Sequence, residues 1–153
     1  MRAEKFRGRS GYATVEEAAT AGIPARYVRI LAVRVVADHA AVLAQENEPP
    51  VVIETLSVLE RSVDRWYSIT EGSVGGSGST TWTSTDDGDD EDPTHEDLGV
   101  GCAVYQLPAG IASAVVGNAE WTDRLEASPS GWVIALHWPV TCADWQPGLV
   151  PAE

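Results

Sequence analysis

The residues best suited to chemistry are a run of carboxylates, three histidines and two cysteines. Asp86-Asp87-Gly88-Asp89-Asp90-Glu91-Asp92 offers enough oxygen ligands for a hard divalent cation. An EF-hand loop needs its aspartates, glycine and closing glutamate at fixed offsets within twelve residues, and this run lacks that spacing. Dense carboxylate without spacing is the pattern of a solvated segment, so no metal site is expected. His39 follows Asp38, His95 lies in the acidic run, and His137 stands between Leu136 and Trp138. An imidazole beside a carboxylate can act as a general base near neutral pH. Asp38 and His39 are chain neighbours, however, and strand neighbours point to opposite faces. His39 is therefore expected in a surface turn, and His137 at a rim position opposite Trp138. Cys102 and Cys142 are too far apart in sequence for a Cys-x-x-Cys site, and no histidine stands at zinc spacing. Buried inert thiols are the expectation. Gly75-Gly76-Ser77-Gly78 lacks the lysine and the following helix of a phosphate-binding loop, and reads as a flexible linker. No catalytic residue, cofactor-binding residue or cofactor is expected.

Six tryptophans in 153 residues are the strongest departure from an ordinary small domain. Trp66, Trp132 and Trp138 fall in strand-like segments and are expected in the core. Trp82, Trp121 and Trp145 lie near loops or strand ends. Indoles beside carboxylates form contact surfaces of large area and low side-chain entropy. Trp82, Trp121 and Trp145, with Asp86, Asp87, Asp89 and Asp90, are accordingly the candidate partner-binding residues.

Charge points the same way. Residues 1–70 hold nine basic and nine acidic side chains, whereas residues 71–153 hold Arg124 alone against fourteen acids. The whole net charge of −13 thus lies in the second half. An anionic half repels phosphate backbones and anionic lipid, so neither nucleic acid nor a membrane is an expected partner, and a basic protein is. No apolar run reaches the ~18 residues of a membrane span. Residues 1–12 are basic without the apolar stretch of a secretory signal, and a cytoplasmic protein is expected.

These side chains must be positioned by a mostly β scaffold. Residues 1–12 read as a flexible basic arm. Thr14-Val15-Glu16-Glu17 is a capping box that opens a helix of about two turns, closed by Gly22 and Pro24. Tyr27–Val36, Ala40–Gln45, Val51–Leu59 and Arg65–Glu71 follow as strands joined by short reversals, which predicts an antiparallel meander over residues 13–71. Residues 72–97 are Gly/Ser-rich and then acidic, eight of the twelve residues from Asp86 to Asp97 being Asp or Glu; they read as a flexible linker. Leu98–Leu107, Ile111–Val116, Ala119–Leu125 and Trp132–Val140 predict a second small antiparallel sheet over residues 98–146. Within it, Trp132, Ile134, Leu136 and Trp138 share one face at period two. Residues 147–153 read as a loose tail. The predicted class is α+β, mainly β: a short helix on a meander, packed with a second sheet in a two-layer, sandwich-like body.

The order of helix, Arg-Trp strand, Gly/Ser-rich stretch, Trp-Thr-Ser-Thr-Asp (82–86), Leu-Gly-Val (98–100) and Gly-Trp-Val-Ile-Ala-Leu-His-Trp-Pro (131–139) resembles a group of small β-rich hypothetical proteins of actinobacteria. The resemblance spans roughly residues 13–142. It implies no activity, cofactor or catalytic residue, and the long acidic insert between Thr85 and Leu98 departs from the pattern.

Two functions fit these features. The first is a non-catalytic protein-binding or regulatory module that uses an acidic, Trp-containing surface. The second is a small-molecule binder or lyase/isomerase-type protein. Its apolar pocket between helix and curved sheet would be lined by Tyr27, Leu31, Trp66, Tyr67 and Ile69.

Overall fold

The computed structural model describes residues 10–48, 51–74, 78–84, 98–117, 121–143, 145 and 147–152. The acidic run, with Asp86, Asp87, Asp89 and Asp90, lies outside the described residues, as does the arm up to residue 9.

Helix α1 (Val15–Ala19) begins where the sequence predicts. The Thr14 hydroxyl oxygen accepts a hydrogen bond from the Glu17 backbone N–H at 3.1 Å, and Gly22 turns the chain at φ +83 before Pro24. Five residues cannot hold a helix alone in water. Val15 and Ala18 dock it, buried against Ala40, Val42, Leu59 and Trp66.

Those four residues belong to the meander, β1 (Val28–Val36), β2 (His39–Glu48), β3 (Val51–Ser62) and β4 (Arg65–Ser73), antiparallel in chain order. Two-residue turns join β1 to β2 at Ala37-Asp38 and β3 to β4 at Val63-Asp64. Val63 and Asp64 both take positive φ, +48 and +63, the backbone that suits the twist of a tight hairpin. Tyr12 adds one antiparallel bridge to the outer edge of β4 at Trp66, so the predicted arm is tied down at its end.

The remaining strands are β5 (Gly78–Ser84), β6 (Leu98–Gln106), β7 (Ser113–Gly117), β8 (Thr122–Glu126), β9 (Trp132–Thr141) and β10 (Gly148–Ala152). Three corrections follow. Gly78–Ser84 is a strand rather than linker: Thr80, Thr81, Trp82 and Thr83 suit a pleated, half-buried surface, and β5 pairs with β6 over its whole length. Gly148–Ala152 is not a loose tail; it pairs with β7. The predicted second sheet is two sheets, β5-β6-β9 and β10-β7-β8.

Alternation explains how these layers stack. Val100, Cys102 and Val104 of β6, with Trp132, Ile134 and Leu136 of β9, form one buried cluster with Leu31, Ala41, Leu43, Leu56 and Val58 of the meander. That cluster joins the two halves of the chain. Ala103, Val133 and Ala135, on the opposite face of the same strands, are buried with Ala114, Val116 and Leu125. Because β6 and β9 are apolar on both faces, two layers are too few: helix, meander, middle sheet and third sheet follow one another.

Candidate functional site

The antiparallel register sets His39, the first residue of β2, directly opposite Glu60 of β3. Their side chains point into the space between the meander and β9, where His39 Nε2 lies 3.1 Å from Glu60 Oε1. Both are sealed, at 2% and 0% exposure, and the Trp138 indole stands 4.9 Å from the imidazole. His39 is therefore not in a surface turn. Residues 37 and 38 suffice for the reversal, and the next side chain already faces inward. A histidine and a carboxylate do converge in this fold, but within packed structure rather than in a hollow that admits a substrate. Their chain neighbours, Asp38 in the β1–β2 turn and Arg61 of β3, make a second pair outside, with Arg61 Nη2 2.8 Å from Asp38 Oδ1.

On the far side of the middle sheet the indoles form a stack. Trp121 lies between His137, 4.8 Å between centroids, and Trp145, 5.2 Å, with all three rings nearly parallel. Trp145 is buried and its Nε1 donates to Thr80 Oγ1 at 2.9 Å; the half-buried Trp82 donates its Nε1 to the Val140 carbonyl at 2.9 Å. A Cβ on Gly101 would run into the Trp145 ring, and one on Gly99 into the Trp82 ring. Glycines at alternate positions of β6 thus clear a flat track for two indoles, a signal legible in Gly99-Val100-Gly101 as a site of close approach. Trp82, Trp121 and Trp145 are brought together, yet as packing rather than as an open contact surface. The reverse holds for Trp138, expected in the core, which at 38% exposure sits at the rim over His39.

The cysteines are both free, Cys102 buried and Cys142 exposed, so only the first is an interior thiol. Burial pushes the Cys102 thiol up to about 12, which keeps it protonated and unreactive at neutral pH. Among the described residues, no cluster of three or more His, Cys, Asp or Glu side chains is placed to hold a metal ion. No helix among them is long and apolar enough to cross a membrane.

The five residues proposed for a helix–sheet pocket do not converge. Leu31 and Ile69 pack in the cluster between the meander and the middle sheet, whereas Trp66 lies under the helix. Tyr27 carries the Arg26 guanidinium 4.7 Å above its ring, and Tyr67 packs close against Gly11. Adjacent strand residues such as Trp66 and Tyr67 cannot line one face. A hollow does open between α1 and β4, about 510 Å³, walled by Ala18, Ala19 and Ala21 and fringed by Tyr12, Thr70 and Glu71. Of the predicted five, only Ile69 reaches it. Two smaller hollows mark the seams between meander and middle sheet, about 170 Å³ between β4 and β5 and about 120 Å³ between β1 and β9. Neither His39 nor Glu60 lines any of the three.

No protein-family model, no curated protein and no solved structure matches this chain.

Proposed function

We propose that the protein is a non-catalytic binding module whose anionic C-terminal half recognises a basic protein partner. The observation that carries this is the segregation of charge: residues 71–153 hold fourteen acids against one arginine, while the preceding seventy residues are balanced. A one-signed field of this kind steers an oppositely charged partner and screens strongly with salt. The enclosure of His39 and Glu60 supports the non-catalytic part, since a general base must come within hydrogen-bond reach of a substrate proton. Calorimetric titration with an arginine-rich peptide tests it. Binding at low ionic strength that weakens steeply toward ~0.15 M salt is expected; no binding at low ionic strength overturns it.

A second reading is favoured by the hollow of about 510 Å³ beside α1, a volume within the ~300–1,000 Å³ of small-molecule sites. Alanines and hydroxyls make up most of its walls, and Ile69 is the one residue there of the five expected from the sequence. A ligand-observed fragment screen that finds no binder lost on Ala19→Trp removes it.

A further inference from the structure

Edge strand β4 already shows how it accepts a partner. Tyr12 and Trp66 exchange both backbone hydrogen bonds in antiparallel fashion, at 3.0 and 2.8 Å. A bulge follows, leaving Ile69 without a counterpart on β3. Beyond it, Val74 donates to the Glu54 carbonyl at 2.8 Å, so Val74 faces β3. Antiparallel alternation then turns Gly72 and Thr70 inward as well, and presents the N–H and C=O groups of Glu71 and Ser73 to the outer edge. These outward groups meet no partner among the described residues.

Hollows flank this stretch on both faces. The one of about 510 Å³ lies on the helix side, and the one of about 170 Å³ opens on the other side against Leu56, Ser79 and Thr81. Thr70 and Glu71 border both. Side chains of an added strand alternate between faces, so a guest in extended form needs one recess on each. The helix-side recess has an alanine wall suited to a methylene stem, and among the described residues lining it Glu71 is the one that carries charge. A lysine or arginine buries its stem while keeping its head polar, and matches that lining. The smaller recess suits a short side chain.

We infer that the edge of β4 from Thr70 to Ser73 docks an extended basic segment of the partner, added antiparallel as a further strand. Its lysine or arginine enters the helix-side recess toward Glu71, and a short side chain enters the seam opposite. This rests on the reading of the protein as a module for a basic partner, and it names where that partner binds.

The probe is an unstructured peptide of alternating lysine and alanine, titrated into the ¹⁵N-labelled full chain at low ionic strength. Expected are shifts and slowed hydrogen exchange at the Glu71 and Ser73 amides, with affinity reduced about tenfold by Glu71→Pro. That variant removes an outward N–H and leaves the ladder to β3 intact. Should Glu71→Pro fail to fold, Ala19→Trp fills the helix-side recess and is expected to weaken binding equally. Peptide binding undiminished in both variants, with shifts elsewhere, overturns the edge site and leaves the basic-partner reading standing. No binding to the unaltered chain overturns both. Glu71 and Ser73 amides already protected in the free protein would put this chain's own segment or a second copy on the edge, and overturn the inference.

Discussion

His39 and Glu60 face each other across β2 and β3 with 3.1 Å between Nε2 and Oε1, while their chain neighbours, Asp38 in the β1–β2 turn and Arg61 of β3, pair in the open at 2.8 Å. One residue of register separates a sealed pair from a pair at 55% and 46% exposure. The two should behave very differently. A buried polar group that loses its partner bears the full cost of leaving water, so Glu60→Ala, which strands the His39 ring nitrogen, is expected to destabilise by about 2–3 kcal/mol. Arg61→Ala, which loses an exposed pair and a cation–π contact 5.8 Å from the Trp66 ring centroid, should cost about 1 kcal/mol. Replacing His39 and Glu60 together by leucine should be nearly neutral and leave peptide binding unchanged. Denaturant unfolding ranks the three variants, and comparable losses for Glu60→Ala and Arg61→Ala would contradict the assignment of burial.

Val63 is a β-branched residue held at φ +48 in a two-residue hairpin turn, where it is 77% exposed and packs on little. Left-handed backbone costs such a residue roughly 1–2 kcal/mol, whereas asparagine tolerates it. Val63→Asn should therefore raise stability by about 1 kcal/mol, visible as a higher Tm without change in the circular dichroism spectrum. An unchanged or lowered Tm would mean that the turn is not left-handed at this position.

Gly101 and Gly72 are both strand glycines with opposite surroundings. A Cβ at Gly101 would meet the Trp145 ring, and one at Gly72 meets nothing within 4 Å. Gly101→Ala must push the indole off its track and strain its bond to Thr80, a loss of about 1–3 kcal/mol. Gly72→Ala should stay within about 0.5 kcal/mol of the parent. Calorimetric melting of the two variants separates close packing from the generic effect of losing a glycine in a strand.

Local rules made the first half of the chain legible. The Thr14 cap, the glycine at 22 and four apolar runs parted by short reversals each act within a few residues, and helix and meander follow from them. Alternation likewise groups Trp132, Ile134 and Leu136 on one face of β9, though Val133 and Ala135 on the other face are buried as well and Trp138 leaves the series at the rim. What escaped depends on distant partners. Gly78–Ser84 has a loop-like start beside an acidic run, and it becomes a strand only because β6 lies next to it. Gly148–Ala152 holds its place through β7. The partner of His39 was hidden for the same reason, since Glu60 is 21 residues away and only the register of the second hairpin sets them face to face. The seating of Trp82 and Trp145 is likewise set at a distance, since the glycine track that receives them lies in another strand.

Cys102 gives the fold a pH dependence of known sign. Burial raises its thiol from the ordinary 9.0 to about 12, so between these values the folded chain keeps a proton that the unfolded chain has released. Its contribution is fully present below pH 9.0 and is lost as pH rises toward about 12, at a slope of about 1.4 kcal/mol per pH unit. Cys102→Ala removes this slope although it leaves a small void, so slopes rather than absolute stabilities are compared in urea titrations across that window. The exposed Cys142 supplies an internal control. Near pH 8 a thiol reagent should modify Cys142 alone in the folded protein, and both cysteines once the chain is unfolded. Rapid modification of two thiols in the folded state, or equal alkaline slopes for parent and variant, would show that Cys102 is not sealed in the core that joins the two halves of the chain.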